Sequence, residues 1–424
     1  MKNPIGAPDP EPPFDRKLRF AFQCWVNRRP LIFRAIGAVL RTWPSLRPGL
    51  AARCSAVKQV LMRPASFSNT SHAANLIGED FLIGQDSGAG YEADKAIFGS
   101  VLASLNAQVG GDREAQSRSD RLLASPSPVK FDLIEDYLMW VALRALEPGF
   151  GIAAGTVESN SRAFGPDEEL ERHYMHEVRH VAANLFGGAG APAQVQRRAE
   201  MSAASLRARI QKSTPEICMS WPHAATAPYG AIQRNATGLA WVSHPVTVQA
   251  GALVIQELLG RPSVYRSLRQ AAALLGSTPW DDAGFRALVR RHILELMRFR
   301  PVFPALARAV PRQTEFESGA HRNPVCPAGS SVAVLSISAL FDSRAVPRAS
   351  AYCPQRHINP LEPVQYLMFG YGERQCPAKE HALTVLTSAL IGVLRLPELC
   401  WAETWGRRID YDGPMVSHMP LRFA

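Results

Sequence analysis

The sequence has no closely spaced cysteines. Its 424 residues include seven cysteines, none at C-x-x-C spacing, which argues against a structural zinc ribbon. Their number is odd and their spacing is irregular, as is typical of a reducing compartment and not of a disulfide framework. The seven are Cys24, Cys54, Cys218, Cys326, Cys353, Cys376 and Cys400.

A long uninterrupted apolar run is also missing. The stretch LIFRAIGAVLRTW is broken by Arg34 and Arg41, so it predicts an amphipathic helix of a soluble protein and not a membrane span. The opening MKNPIGAPDPEPPFD is rich in proline and acidic, and it lacks the apolar core of a signal peptide. These absences predict a cytoplasmic protein with no membrane span and a disordered segment at residues 1–15.

Acidic residues are fewer than basic ones. Lys and Arg number 47 against 37 Asp and Glu, which gives a net charge of +10. Such a surplus favours anionic partners: nucleic acid, a membrane surface, an acidic redox protein or carboxylate substrates. The basic residues are scattered through segments such as RRHILELMRFR and SLRARIQK. Most are therefore predicted to lie on solvated helix faces, and no nucleic-acid partner is expected.

Segments with the alternation of a strand are few. Apolar residues at helical spacing dominate, as in KFDLIEDYLMWVALRAL and AKEHALTVLTSALIGVLRL. Strand-like pieces come late, in PALARAV and SVAVLSISAL. The glycine-containing DFLIGQDSGAG and FGGAGAP lack phosphate-binding spacing and are predicted to be loops. With no internal repeat and no long linker, the sequence predicts a mainly α protein with a small β portion, as one domain over residues 1–424.

The segment FGYGERQCPAKEHAL, residues 369–383, places a lone cysteine before a helix-like run. Pro377 suits a first helical position, and the free N–H groups of that turn would favour a thiolate at Cys376. Gly370 and Gly372 permit a tight turn close to a flat object, and Phe369 would shield the sulfur from water. A shielded, ionised sulfur is what an axial ligand of haem iron requires. The alternative is a buried structural cysteine at a helix start.

Three motifs follow one another in the second half of the chain. The helix-like ILELMRF contains E-x-x-R as Glu295 and Arg298, and P-x-R follows with Arg356. The last is F-x-x-G-x-x-x-C-x-G/A, from Phe369 to Ala378. Their order and spacing resemble the cytochrome P450 superfamily. The resemblance extends more weakly to VKQVLMRPASFSN and DFLIGQDSGAGYEADK.

The resemblance implies a fold, a cofactor and a set of site residues. The fold would be the cytochrome P450 fold, with haem b between the long helix near residues 228–259 and the loop that ends at Cys376. Cys376 would be the axial ligand of the haem iron. A buried ion-pair network under the haem would set structure more than chemistry. Its members would be Glu295, Arg298 and Arg356. The haem propionates would contact Arg308 and Arg374, and also Tyr91 and Lys95, which stand where family members often have His and Arg.

The sequence departs from the family in the long helix. An acid–alcohol pair used there for proton delivery in dioxygen activation is replaced by Pro245 and Val246 in WVSHPVTVQAGALV. Neither side chain relays a proton, and a proline inside a helix removes a hydrogen bond and kinks the chain. Thr247, which follows one residue later, and the preceding His244 are therefore candidate catalytic residues, together with Pro245 as the site of the kink. Ser243 or a water would assist Thr247.

Two chemistries stay open at this point. In the first, the protein is a monooxygenase that uses dioxygen and electrons from a separate ferredoxin or reductase to oxidise an apolar or fatty-acid-like molecule. In the second, it is a peroxygenase or a fatty-acid hydroperoxide isomerase or lyase that needs no external electrons. A haem-free docking module is a further alternative from another class of function.

Positions carried over from the family place the substrate contacts in residues 69–85, 241–247 and 303–306. A separate spacing of three histidines, in HYMHEVRH, would allow metal binding on one helix face. Neighbouring charged residues favour a solvated face instead. These histidines are His173, His176 and His180.

Overall fold

The structure is a computed structural model, and it describes most of the chain. The segment predicted to be disordered, residues 1–15, lies outside the described residues. The described residues are 20–21, 24–26, 28–42, 49–69, 77, 80–106, 110–125, 130–150, 168–187, 190–221, 227–317, 323–356, 364–403 and 409–424.

Helices form most of the described chain, which confirms the mainly α prediction. The α-helices are α1 (Pro30–Thr42), α2 (Cys54–Met62), α3 (Ala89–Asn106), α4 (Gly110–Ala124), α5 (Met139–Leu146), α6 (Glu168–Gly187), α7 (Ala193–Ser220), α8 (Tyr229–Gly238), α9 (His244–Leu259), α10 (Pro262–Leu274), α11 (Ala283–Phe299), α12 (Ser336–Leu340) and α13 (Lys379–Arg395). Two π-helical segments, Leu133–Leu138 and Leu239–Ser243, precede α5 and α9.

The strands are short and pair over long sequence distances. They are β1 (Leu50–Ala51), β2 (Lys130–Asp132), β3 (Leu306–Ala309), β4 (Thr314–Glu315), β5 (Val325–Cys326), β6 (Ser331–Val334), β7 (Leu399–Trp401), β8 (Asp410–Asp412), β9 (Met415–His418) and β10 (Pro420–Phe423). One sheet has the order β1-β6-β3, with β1 parallel and β3 antiparallel to β6. A second sheet has the order β2-β10-β7, and β4-β5 and β8-β9 are two-stranded.

The longest helical unit runs through the larger hydrophobic core. We call Tyr229–Leu259 the central helix; it joins α8, the π-helical turn Leu239–Ser243 and α9. Pro245 lies in the first turn of α9, directly after that wide turn. Because proline lacks an N–H and clashes with the carbonyl four residues earlier, the widened turn accommodates it. The central helix has the length and hydropathy of a membrane span, but 89 % of its most apolar window is buried in the protein.

Several elements differ from the sequence-based prediction. Only Ser331–Val334 of SVAVLSISAL is a strand, and Ser336–Leu340 is a helix. The segment predicted as one helix over KFDLIEDYLMWVALRAL begins as strand β2 and a π-helical segment. Helix α4 was not predicted, because GGDREAQSRSDRLLA has few apolar residues to show a periodicity.

The carboxylate of Glu135, in the first π-helical segment, joins that segment to α6. It is within 2.8 Å of both His176 Nε2 and Arg179 Nη1, and within 3.4 Å of Arg172 Nη1. Burial by itself would raise the pKa of Glu135, but the hydrogen bonds from His176 and Arg179 lower it to about 2. The folded state therefore favours the charged form of this side chain.

This depressed pKa predicts a loss of stability in acid. The contribution of Glu135 is fully present above its unfolded-state pKa of about 4.5 and is lost as the pH falls towards 2. We expect Glu135→Gln to be destabilised at pH 7 by of order 2 kcal/mol and to approach the unsubstituted protein near pH 2.5. Thermal unfolding between pH 7 and 2.5 measures this. A difference that does not shrink in acid would contradict the assignment.

Candidate functional site

A cavity of about 270 Å³ lies between the central helix and the loop that carries Cys376. Its described lining is mostly apolar and contains no aspartate, glutamate or histidine. The central helix contributes Val242, Ser243, Val246, Thr247 and Ala250, and the opposite side contributes Phe369, Arg374, Cys376, Ala382 and Leu386.

The loop at residues 369–378, which we call the cysteine loop, is held by its own backbone. The Cys376 N–H donates to the Phe369 carbonyl at 2.7 Å, and the Gln375 N–H donates to the Gly372 carbonyl at 3.0 Å. Gly370 and Gly372 have φ values of 80° and 70°, a region that favours glycine. The sequence-based prediction of a tight glycine turn here is therefore confirmed.

The α-helix after the loop begins later than predicted. Pro377 lies in a turn, and α13 begins at Lys379. The sulfur of Cys376 still receives a hydrogen bond from the Ala378 backbone, and Lys379 lies close enough to lower its pKa. Burial outweighs both and raises the pKa of the Cys376 thiol to about 11. The backbone N–H after the cysteine thus favours the thiolate, as predicted, but burial outweighs its effect on the pKa. Ionisation at neutral pH needs a cation at the sulfur, such as a coordinated metal.

Two guanidinium groups lie in the cavity wall without a carboxylate partner among the described residues. Arg308, on β3, is buried and donates to the carbonyl of Ala307 at 2.9 Å. Burial, together with repulsion from Arg374, lowers the pKa of Arg308 to about 10. Arg374 donates through Nη2 to the Leu82 carbonyl at 3.0 Å, while its buried Nη1 has no partner in the described part of the chain. This pair of positive charges fits an anionic group bound in the cavity.

Tyr91 and Lys95 support the cysteine loop from helix α3. The Tyr91 hydroxyl and the Lys95 ammonium donate to the Glu373 carbonyl at 3.2 Å and 3.0 Å. The guanidinium of Arg374 stacks on the Tyr91 ring, 4.1 Å from its centroid. Tyr91 lines the cavity, but Lys95 does not. Lys95 therefore contacts the loop backbone, and its contact with a bound group stays a prediction.

The central helix turns two of the predicted catalytic residues away from the cavity. His244 is buried, and its Nε2 lies 2.9 Å from the Met139 carbonyl. Its burial lowers its pKa to about 4. His244 and Pro245 border a separate small void with Met175 and Arg179, and not the cavity that Cys376 lines. Sequence reasoning missed this because the π-helical turn rotates the side chains that follow it.

The side chains that do face the cavity from this helix are Ser243, Val246 and Thr247. Ser243 and Thr247 are four residues apart, and both are mostly buried. They are hydroxyl groups on one side of the helix, next to the π-helical turn. The structure therefore brings Thr247 and Ser243 to the same cavity as Cys376.

The three residues of the predicted ion-pair network meet in the structure. Arg298 Nη2 lies 2.8 Å from Glu295 Oε1, and Arg356 Nη2 lies 3.3 Å from the same oxygen. Arg298 is fully buried and also donates to the carbonyls of Leu340 and Ala349. None of the three charged residues lines the cavity. Hydrogen bonds from both arginines lower the pKa of Glu295 against the raising effect of burial.

The predicted substrate-contact segments supply part of the lining. The described part of the predicted segment 69–85 contributes Asn69 and Phe81–Ile83 to the cavity lining. Residues 70–76, 78 and 79 of that segment lie outside the described residues. Lining residues that sequence reasoning missed come from several separate segments, because only the fold brings them together. They include Phe98, Phe186, Asn235, Met297, Val302 and Met368.

The three histidines of HYMHEVRH do not form a metal site. Within the described residues no group of three or more His, Cys, Asp or Glu side chains is placed to hold a metal ion. His176 pairs with Glu135, and His180 Nδ1 lies 3.2 Å from Ser202 Oγ. The prediction of a solvated face is corrected for His176 and His180, because their rings hydrogen-bond to neighbouring elements. His173 is exposed, as predicted.

Comparisons with known proteins agree with the motifs and the fold. The family model "Cytochrome P450" matches residues 235–399. The mouse protein "Cytochrome P450 11B2, mitochondrial" is 28 % identical over 172 residues, 40 % of this chain and 33 % of that protein. The Drosophila melanogaster protein "Cytochrome P450 4d8" is 25 % identical over 175 residues, 39 % of this chain and 37 % of that protein. The matches thus span about a third of the length of these relatives.

Solved structures show the same fold over nearly the whole chain. The crystal structure of CalO2 has a TM-score of 0.72 at 17 % identity, over 94 % of this chain and 97 % of that one. P450BioI, in complex with hexadec-9Z-enoic acid ligated acyl carrier protein, has a TM-score of 0.69 at 15 % identity, over 94 % of this chain and all of that one. Residues 235–399 thus match the cytochrome P450 family, and the described chain has the cytochrome P450 fold; the cofactor of that family is haem with a cysteine thiolate ligand.

The residues present fit that cofactor. The cavity combines a cysteine sulfur on one wall, apolar side chains around it and two guanidiniums that have no carboxylate partner among the described residues. The carboxylates of a bound haem would be held by Arg308 and Arg374, which have no carboxylate partner among the described residues. The iron of such a group would supply the positive charge that favours ionisation of the buried Cys376 sulfur.

Proposed function

We propose that this protein is a haem-thiolate oxidoreductase, a cytochrome P450-type monooxygenase, with Cys376 as the axial ligand of haem b. The observation that carries the proposal is the placement of the Cys376 sulfur and the uncompensated guanidiniums of Arg308 and Arg374 on one apolar cavity. Arg308 and Arg374 would bind the propionates, and Phe369 would shield the sulfur. When bound, the haem supplies the oxidation chemistry.

The cysteine loop is built to keep its sulfur in one position. Two donors from α3, Tyr91 and Lys95, fix the Glu373 carbonyl, and the Cys376 N–H is fixed by the Phe369 carbonyl. A ligand held in this way needs little reorganisation when the cofactor binds. The surrounding apolar side chains exclude water from the sulfur.

Proton delivery would rest on Thr247, assisted by Ser243. These two hydroxyls face the cavity, whereas Pro245 and Val246 occupy the positions of the usual acid–alcohol pair. A hydroxyl can hold an ordered water and pass a proton along a hydrogen bond. This placement favours dioxygen chemistry, with electrons from a separate ferredoxin or reductase. The excess of basic residues suits an acidic redox protein.

A second chemistry has an observation of its own. The described cavity lining contains no carboxylic acid and no histidine; its polar side chains are hydroxyls, amides, two guanidiniums and the Cys376 sulfur. A substrate that already contains an O–O bond would need fewer protons, as in a peroxygenase or a hydroperoxide isomerase or lyase. We keep this as the alternative function.

The substrate class follows from the cavity walls. Aromatic and aliphatic side chains such as Phe81, Phe186, Val242 and Phe303 suit an apolar organic or fatty-acid-like molecule. P450BioI, which shares the fold, was solved with a fatty acyl group on its carrier protein, and this supports a fatty-acid-like substrate.

The deciding experiment uses purified, haem-loaded protein. The ferrous–CO spectrum is recorded first, because a thiolate-ligated haem gives a characteristic red-shifted Soret band. A fatty-acid hydroperoxide is then added without reductant, and in parallel fatty acids are supplied with ferredoxin, its reductase and dioxygen. Turnover only with electrons supports the monooxygenase, and turnover of the hydroperoxide alone supports the alternative. If the protein takes up no haem, both enzyme functions are refuted, and the haem-free docking module is the function that remains.

Replacing Thr247 tests the proton-delivery role. Thr247→Ala should lower turnover with dioxygen by about tenfold to a hundredfold, because a general acid–base contribution is lost. Turnover of a hydroperoxide should change little. The measurements are the rate of product formation and the amount of product formed per electron consumed. Thr247→Ser keeps the hydroxyl and should retain most of the activity; equal losses in both variants would contradict the role.

A further inference from the structure

The positive charge of this protein is concentrated in one part of the sequence. Residues 16–78 contain eleven of the 47 basic residues and none of the 37 acidic ones, so the other residues hold 36 basic and 37 acidic side chains. The net charge of +10 therefore belongs to this segment, and the rest of the chain is close to neutral. Helix α1 lies in its middle.

Three contacts fix how α1 is rotated on the protein. Gly37 faces Ser338 so closely that a Cβ on Gly37 would lie 2.7 Å from the Ser338 Cβ. Arg41 Nη1 donates to the Ser338 carbonyl at 2.7 Å, and the guanidinium of Arg34 lies 4.7 Å from the centroid of the Phe341 ring. The helix thus turns its glycine and two of its arginines inwards.

The opposite face of α1 is apolar and exposed. Leu31, Ile32, Ile36 and Val39 are 52 %, 42 %, 38 % and 47 % exposed, and Ala35 is exposed between them. These positions, spaced i, i+1, i+4, i+5 and i+8, form one continuous stripe. We call them the outer face of α1. A surface helix of a globular protein normally buries its apolar stripe, whereas α1 exposes it. The sequence predicts the amphipathic helix, but not which face points outwards.

We propose that the outer face of α1 docks on the surface of an anionic phospholipid bilayer. An apolar helix face that lies in the interface plane, with basic residues around it, is the arrangement that binds such a surface. Exposed Arg29 lies just before the helix, where it can contact lipid phosphates, whereas the neighbouring Arg28 donates to the Gly413 carbonyl at 3.4 Å and lies over the Tyr411 ring. A second copy of the chain is disfavoured as the occupant, because two acid-free basic segments would repel each other. The contact is peripheral and adds to the proposed function without depending on it.

Vesicle binding of the full-length, haem-loaded protein tests the proposal. Phosphatidylcholine vesicles with and without about a third phosphatidylglycerol are floated on a density gradient at low and at high salt. We expect binding to the anionic vesicles that weakens at least about tenfold at high salt, since surface charges are screened. No binding to the anionic vesicles at low salt would overturn the proposal.

A matched pair of variants separates the outer face from general hydrophobicity. Ile32→Gln/Ile36→Gln removes two residues of the outer face and should lower the partition coefficient by about tenfold or more. Met201→Gln/Leu274→Gln removes two residues that are 76 % and 84 % exposed on other helices, and should leave binding unchanged. Equal binding of both double variants would refute the role of α1. Sedimentation without vesicles is the last control: a dimer that Ile32→Gln/Ile36→Gln abolishes would assign the face to a second copy instead.

Discussion

Cys376→Ser should abolish the red-shifted ferrous–CO Soret band and lower turnover by at least about a hundredfold. Serine has nearly the same size as cysteine, and it keeps the backbone hydrogen bond from the residue 376 N–H to the Phe369 carbonyl. The fold should therefore survive, and the loss should reflect the ligand alone. The spectrum and the turnover rate of the same haem-loaded sample measure it.

Another cysteine provides the matched control. Cys400, on β7, is partly exposed and lies outside the cavity, so Cys400→Ser should leave spectrum and rate unchanged. A thiolate-type spectrum that persists in Cys376→Ser would show that a different sulfur binds the iron. Equal thermal stability of the two variants would exclude unfolding as the cause of any loss.

The cysteine loop could be predicted from the sequence because its geometry is local. Gly370 and Gly372 occupy backbone conformations that other residues disfavour, so the chain itself encodes the turn that presents Cys376. The pair Glu295 and Arg298 is one helical turn apart, and this spacing alone predicts their contact. Such features need only neighbouring residues.

Features that depend on rotation or on distant contacts could not be predicted. The π-helical turn before α9 decides that Thr247 faces the cavity and His244 does not, and no motif marks that turn. The strands are two to four residues long and gain their pairing from distant segments, as when β1 pairs with β6. Too few residues are involved for a period-two pattern to appear.

The pKa of Cys376 shows the same limit in energetic terms. Sequence reasoning weighed the helix start, which lowers the pKa, but could not weigh the burial that raises it to about 11. Charge effects near a helix terminus fall off within one turn, while desolvation depends on every neighbouring element. The direction of a pKa shift in a buried site therefore needs the fold.

Arg298→Met should destabilise the protein by about 3–5 kcal/mol, because it removes one partner of a buried ion pair. Arg298 is fully buried and donates to Glu295 and to the carbonyls of Leu340, Ala349 and Ala351. Methionine fills much of the volume but donates no hydrogen bond, so Glu295 loses its main partner and the buried carbonyls lose theirs. Urea unfolding of the haem-loaded protein, followed by circular dichroism, measures the loss.

The surface arginine Arg121, which pairs with Glu168, is the matched control. Both members of that pair are largely exposed, so Arg121→Met should cost less than about 1 kcal/mol. Adding Glu295→Gln to Arg298→Met should recover part of the loss, because the uncompensated buried charge is then gone. Since neither residue lines the cavity, the folded fraction of each variant should keep its Soret spectrum. A loss below 1 kcal/mol for Arg298→Met, or a changed spectrum in folded protein, would contradict a purely structural network.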